Sequence, residues 1–422
     1  CIKQHDITDC GARLHRKEIS MQIGKIYKTN ILFAVIYFIT VLLSTLLVSL
    51  LGEINLNNLM LRTVLCFFFS ILMLFISIEN YKNGKQFVNK KIKSKIKIGV
   101  VIMSIKTVGI IGAGAVGSYV IWGLSKVEDI KLGVIAKGER NQKLKADGCK
   151  INGNVYRPEV WTPDEAKGVD LLIVSLKYGA LPAALDDIKA ATGDNTIVMS
   201  LMNGVDSEDV IAEKIGASHM LYSLIKVASA YKEGNGYVFN PDTTLGIIYG
   251  ELNAPFDSER VRMVKELFER GNIHFRVTEH IKEEIWCKFR LNVCNNLPQA
   301  ILGAGVGCYR DSVHMKAISE GLRKELEAVA AAKGIDISIV EGSSGRGSAV
   351  LPTARYSTLQ DIDAKRHTEI DMFSGALMRM GKELGIPTPY NEYTYHMIKA
   401  IEEKNDGRFN YNSDNEELTW AK

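Results

Sequence analysis

Residues 103–120 read MSIKTVGIIGAGAVGSYV. The segment 107–112 is short, apolar and rich in β-branched residues, as a buried strand is, and AVGSYVIWGLSKV (115–127) continues as a helix. Gly112, Gly114 and Gly117 set the spacing G-x-G-x-x-G between them. The first glycine allows the tight turn, the second lets a pyrophosphate approach the backbone, and the third lets helix pack on strand. The helix start adds free N–H groups and a positive dipole end. Between a strand and a helix, Gly112, Ala113, Gly114, Ala115, Val116 and Gly117 are expected to bind a dinucleotide, with a bare packing turn as the other reading.

Working outward, KLGVIA (131–136), VDLLIVSLK (169–177) and TIVMSL (196–201) are continuous apolar runs of the kind a parallel sheet buries on both faces. They predict a doubly wound α/β domain. Residues 220–251, with KEGNG as a turn, are expected to add antiparallel strands at the edge of that sheet. An NAD site usually offers an acidic residue after its second strand, but here the chain reads Ala136-Lys137-Gly138-Glu139-Arg140. Cations there suit a 2′-phosphate, so NADPH/NADP is the expected cofactor, against a merely solvated Lys137. Lys177 and Asn203-Gly204 end two further strands and point into the same crevice, though a surface charge and an ordinary turn explain them equally well.

Beyond about residue 256 helical patterns take over: 257–271, 279–296, 314–334 and 359–385, the last two closed by Gly334 and Gly385. Lys288, Asn292 and Asn296 fall at i, i+4 and i+8 beside an apolar stripe of Trp286, Phe289, Val293 and Leu297. Such a row can line a cleft, while Glu284, four residues before Lys288, offers a plain surface ion pair instead. Ser357 with Gln360 reads as a capping box, and Glu369 can pair with Lys365 or Arg366. The loop 341–348, EGSSGRGS, is expected to be the most flexible internal stretch.

Charge nearly cancels, with 52 basic against 48 acidic residues, which predicts no nucleic-acid partner. The seven cysteines form no C-x-x-C pair and suggest free thiols, and no ligand spacing suggests a metal. Residues 31–51 carry no charge and 59–78 only Arg62, so residues 31–78 are expected to form two transmembrane helices. Lysines flank both ends, which predicts cytoplasmic termini and a membrane-anchored, cytoplasmic catalytic domain. CIKQHDITDCGA (1–12) resembles the start of the cysteine-peptidase domain of bacteriocin-exporting transporters, with Gln4 at the oxyanion-hole position and Cys10 at the nucleophile. The likeness ends within a dozen residues, too little for such a peptidase, so 1–30 is expected to be a remnant or a cytoplasmic leader.

From residue 103 to about 410 the chain resembles the ketopantoate reductase family. The likeness rests on VGIIGAGAVGSYV, LLIVSLKYGAL, MNGVD, WCKFRLNVCNN and STLQDIDAKRHTEID. It implies a Rossmann-type dinucleotide-binding domain (103–275), an all-α domain (276–410) and an active site between them; composition alone sets a basic linker at 79–102 and a polar tail at 411–422. It implies NADPH-dependent reduction of ketopantoate in pantothenate synthesis, and it allows a homodimer. By the same resemblance Gly112–Gly117 hold the pyrophosphate and Lys137 the 2′-phosphate. Lys177, Asn203, Ala230 and Glu369 complete the cofactor site. Lys288 is the proton donor, Asn203, Asn292, Asn296 and Ser357 bind substrate, and Glu369 bridges cofactor and substrate hydroxyl. The chain departs from the family at GAGVGCY (303–309) and at Tyr356. A related reductase of another small 2-oxo acid, or a non-catalytic membrane-tethered NADP-binding protein, therefore stands as an alternative.

Overall fold

The computed structural model describes residues 104–227, 231–340 and 351–410. The expected membrane hairpin at 31–78, Gln4 and Cys10, the linker 79–102, Ala230, the loop 341–348 and the tail 411–422 lie outside the described residues. Among the described residues, no helix is long and apolar enough to cross a membrane.

Strands β1 (Thr107–Ile111), β2 (Lys131–Ile135), β3 (Cys149–Ile151), β4 (Asn154–Tyr156), β5 (Glu159–Trp161), β6 (Leu171–Val174) and β7 (Ile197–Ser200) make up the first half. Five of them form one sheet in the order β5-β2-β1-β6-β7, and every pairing in it is parallel. Helices α1 (Ala115–Leu124), α2 (Gly138–Asp147), α3 (Leu181–Ala191) and α4 (Ser207–Ile215) follow β1, β2, β6 and β7. Strand alternation explains why these runs are apolar throughout. Leu171 and Ile173 enter one core with Val108 and Ile110, while Leu172 and Val174 enter another with Ile111 on the opposite face. Strand order reverses between β1 and β6, the switch point beyond which ligands bind in such sheets.

The edge differs from expectation. KEGNG does turn a hairpin, β9 (Tyr231–Glu233) to β10 (Gly236–Val238), but it joins a separate sheet ordered β4-β3-β10-β9. The cause is a second hairpin that the sequence reading overlooked. Asn152 and Gly153 sit at φ 47° and 79°, the pair a tight β3–β4 turn needs, and β3 then offers its other edge to β10. Strands β8 (Tyr222–Lys226) and β11 (Gly246–Gly250) are antiparallel and form a third sheet with β12 (Phe275–Val277). A single bridge, Val198 to Met220, ties that region to the main sheet.

Helix α5 (Glu259–Arg270) starts where Ser258 caps it, its side chain accepting from the Val261 N–H. It buries Val261, Val264, Leu267 and Phe268 as one stripe. The helical half holds α6 (Ile281–Leu291), a π-turn (Asn292–Asn296), α7 (Leu297–Leu302), α8 (Cys308–Asp311), α9 (Val313–Ala332), α10 (Ser357–Asp363), α11 (Ser374–Leu384) and α12 (Pro389–Asn405). Gly334 and Gly385 take φ 73° and 69°, the left-handed caps expected of them.

Two expected helices are interrupted. Residues 279–296 do not form one regular helix, because the last five residues widen into the π-turn. Residues 359–385 split into α10 and α11. Lys365 sits at φ 52°, the Arg366 N–H turns back to the Asp361 carbonyl, and Thr368 donates from both N–H and hydroxyl to Glu402 of α12. These bonds satisfy the chain locally and stop the helix before Glu369.

Candidate active site

The glycine turn is closed on the protein side and open on the other. Gly112 stands at φ 102°, and a Cβ added there would lie 2.6 Å from the Ser175 carbonyl oxygen. At Gly117 it would lie 2.0 Å from the Gly112 oxygen. At Gly114 it would meet nothing within 4 Å, and no side chain caps α1. Ala113 and Val116 pack against the core. The turn therefore presents bare backbone and uncapped N–H groups outward, the fit a pyrophosphate requires. Lys137, beyond β2, is exposed, and its Nζ lies 2.6 Å from Asp187 Oδ1 of α3.

Beyond β6 and β7 the two halves of the chain meet. Lys288 Nζ donates to Asn203 Oδ1 at 2.7 Å. Asn203 Nδ2 donates to Glu369 Oε2 at 3.2 Å, and the Tyr178 N–H donates to Glu369 Oε1 at 3.2 Å. Lys177 Nζ lies 2.9 Å from Asp361 Oδ2 and 3.8 Å from Glu369 Oε2. Lys288, Asn203, Glu369 and Lys177 thus form one hydrogen-bonded and ionic cluster, drawn from α6, two strand ends and the break between α10 and α11.

The bland pairings considered for these residues are not the ones formed. Glu284 is buried and pairs with Arg276 at 2.6 Å, leaving Lys288 to cross to Asn203. Glu369 faces Tyr178 and Asn203, not Lys365 or Arg366. Ser357 opens α10 and is exposed, but Tyr356 is the cap, and Gln360 donates to the Arg355 carbonyl instead of closing a capping box.

Within the π-turn, Asn296 Nδ2 donates to Asn292 Oδ1 at 3.1 Å. The other halves of both amides, Asn292 Nδ2 and Asn296 Oδ1, are buried without a partner, as is the Thr358 hydroxyl. Leaving such an atom unpaired costs about 1–3 kcal/mol, which a polar ligand reaching them would offset. The divergent GAGVGCY turn braces this region. Val306 and Gly307 donate backbone bonds to Ala354 and Pro352, and Gln299 binds Ala354 and the Tyr356 N–H.

Burial pushes the Lys288 amine down to about 8, helped by Lys226 of β8 and opposed by Glu369 and Glu208. Lys288 also borders a cavity of about 1000 Å³ shared with Lys226, Leu245, Leu291 and Val313. An amine in this state is mostly protonated near neutrality and gives up its proton readily, as a general acid must. Among the described residues, no group of side chains is arranged to hold a metal ion.

The model for ketopantoate reductase PanE/ApbA matches residues 108–253, and the model for its C-terminal domain matches 280–402. The chain belongs to this family. It is 27% identical over 304 residues to the 2-dehydropantoate 2-reductase of Streptococcus pyogenes serotype M6, covering 69% of this chain and 97% of the relative. Identity to the Pyrococcus horikoshii 2-dehydropantoate 2-reductase is 29% over 308 residues, 71% of this chain and 98% of that one. The PanE/ApbA-family ketopantoate reductase structure from Ralstonia eutropha shares the fold, with a TM-score of 0.59 at 22% identity, covering 71% of this chain and 99% of that one.

Around the Lys288 cluster, three polar residues escaped the sequence reading. Asp361 receives Lys177, while Tyr178 and Asp206 form a hydrogen bond at 2.7 Å. Asp361 lies inside the LQDID motif and Tyr178 directly follows Lys177. Position beside a singled-out residue was the available signal.

Proposed function

We propose that the chain reduces 2-dehydropantoate to pantoate with NADPH. The observation that carries the reading is the chain of contacts Lys288–Asn203–Glu369, which joins the dinucleotide half to the helical half. NADPH held at the Gly112–Gly117 turn would supply the hydride. Lys137 would exchange Asp187 for the 2′-phosphate, and Lys177 would meet the cofactor at the end of β6.

Negative charge that builds on the ketone oxygen needs a cation or a proton aimed at it, and Lys288 offers both. Asn203 orients the amine, and Glu369 favours its charged form while standing ready to accept a hydrogen bond from the substrate hydroxyl. Asn292, Asn296 and Ser357 would hold the remaining polar groups of the substrate. On this reading residues 103–275 form the cofactor half and 276–410 the catalytic half. The apolar segments within 31–78 support a second element of the proposal, attachment of the reductase to a bilayer.

A steady-state survey of NADPH oxidation with ketopantoate, pyruvate and phenylglyoxylate tests the substrate. The highest kcat/KM is expected for ketopantoate. A higher value for either other acid would reassign the substrate, and no oxidation with any would remove the reading.

A further inference from the structure

Tyr178 is tied to both halves of the molecule. Its ring packs against the core of the main sheet and against the core of the helical half. Its hydroxyl donates to Asp206 Oδ2 at 2.7 Å, and its N–H donates to Glu369 Oε1 at 3.2 Å. Asp206 lies on the turn that carries Asn203, just before α4, and Arg379 Nη2 of α11 stands 3.8 Å from the same Oδ2. The other oxygen, Asp206 Oδ1, is buried without a hydrogen-bond partner. A half-buried carboxylate with one oxygen unpartnered depends strongly on the phenol bond its other oxygen accepts.

We propose that Tyr178, anchored by Asp206, is a positioning residue that holds the Glu369 carboxylate against Asn203 and thereby sets the charge environment of Lys288. The role rests on the proposed use of Lys288 as the proton donor. One face of the clamp fixes Tyr178 to the Asn203 turn, the other delivers its N–H to Glu369, and the ring keeps the two halves in register. Burial pushes the Tyr178 phenol up to about 12, so it remains the donor throughout the working pH range. Burial also raises the Asp206 carboxyl. The charged groups acting on Lys288 are Lys226 from β8, Glu208 from α4 and Glu369 from the α10–α11 break. Lys316 and Glu320 of α9 line the same cavity. Of these, only Glu369 is held by Tyr178.

The test is the pH dependence of Lys288 acetylation by acetic anhydride in the full chain, read by mass spectrometry in wild type, Tyr178→Phe, Asp206→Asn, Glu369→Gln and the Tyr178→Phe/Glu369→Gln double variant. Tyr178→Phe keeps the ring and its packing, and Asp206→Asn keeps the shape, so Asp206→Asn carries the test should Tyr178→Phe not fold. Glu369 raises the Lys288 pKa, so loosening it should lower the apparent value. Tyr178→Phe and Asp206→Asn are each expected to shift it in the same direction as Glu369→Gln. The double variant is expected to shift no further than Glu369→Gln alone. A wild-type titration in both Tyr178→Phe and Asp206→Asn, or a double variant in which the two shifts add in full, overturns the proposal. The measurement needs neither cofactor nor substrate, so absence of ketopantoate turnover would count against the proposed reaction and not against this positioning role.

Discussion

At the scale of single residues the account turns on Lys288. Its pKa near 8 means that the acid form is lost as pH rises, so kcat/KM should be level below about 8 and fall above it. A profile flat to well above that pH would remove Lys288 from proton transfer. Replacing the amine by Lys288→Ala should cost about a hundredfold to ten-thousandfold in kcat with little change in NADPH affinity. Lys137→Asp places an anion beside the proposed 2′-phosphate, so KM should rise far more for NADPH than for NADH. Equal effects on both would return Lys137 to its Asp187 ion pair. The residue types of this cluster were legible in the sequence, since Lys288, Asn203, Lys177 and Glu369 were all singled out. Their partners were not: spacing offers only neighbours three and four apart, whereas Lys288 reaches Asn203 across 85 positions.

At the scale of elements, the glycine turn separates binding from folding. Gly114→Ala meets nothing within 4 Å in the protein, so it should melt like wild type yet bind NADPH more weakly. Gly117→Ala drives a Cβ to 2.0 Å from the Gly112 oxygen and should destabilise the fold by about 1–3 kcal/mol. Calorimetric melts together with NADPH titrations of the two variants check this, and equal losses of stability would refute it. Four of the five parallel strands were readable because apolar runs and glycine spacing are local, whereas β5, three residues long and opened by Glu159, was not. The break between α10 and α11 was not, because an uninterrupted helical pattern covers 359–385 while the bonds that stop it come from Glu402 in α12. The π-turn is similar. Nothing local within 279–296 marks the widening at Asn292–Asn296, so the sequence shows only a helix.

At the scale of the whole molecule, the described residues carry both the glycine turn and the Lys288 cluster, and all lie within Met103–Lys422. Removal of residues 1–102 should therefore leave a folded protein with the kcat and the NADPH affinity of the full chain. A truncated form that aggregates would show that the amino-terminal segment belongs to the folding unit. The measurement that bears most directly on the central claim is rapid-mixing hydride transfer from bound NADPH to ketopantoate, followed in wild type and Lys288→Ala by loss of the reduced-nicotinamide absorbance. The account predicts stoichiometric oxidation in wild type, with pantoate as product, and a rate at least about a hundredfold lower in Lys288→Ala at unchanged NADPH occupancy. Equal rates in the two proteins, or NADPH that stays reduced in the wild type at saturating ketopantoate, would contradict it.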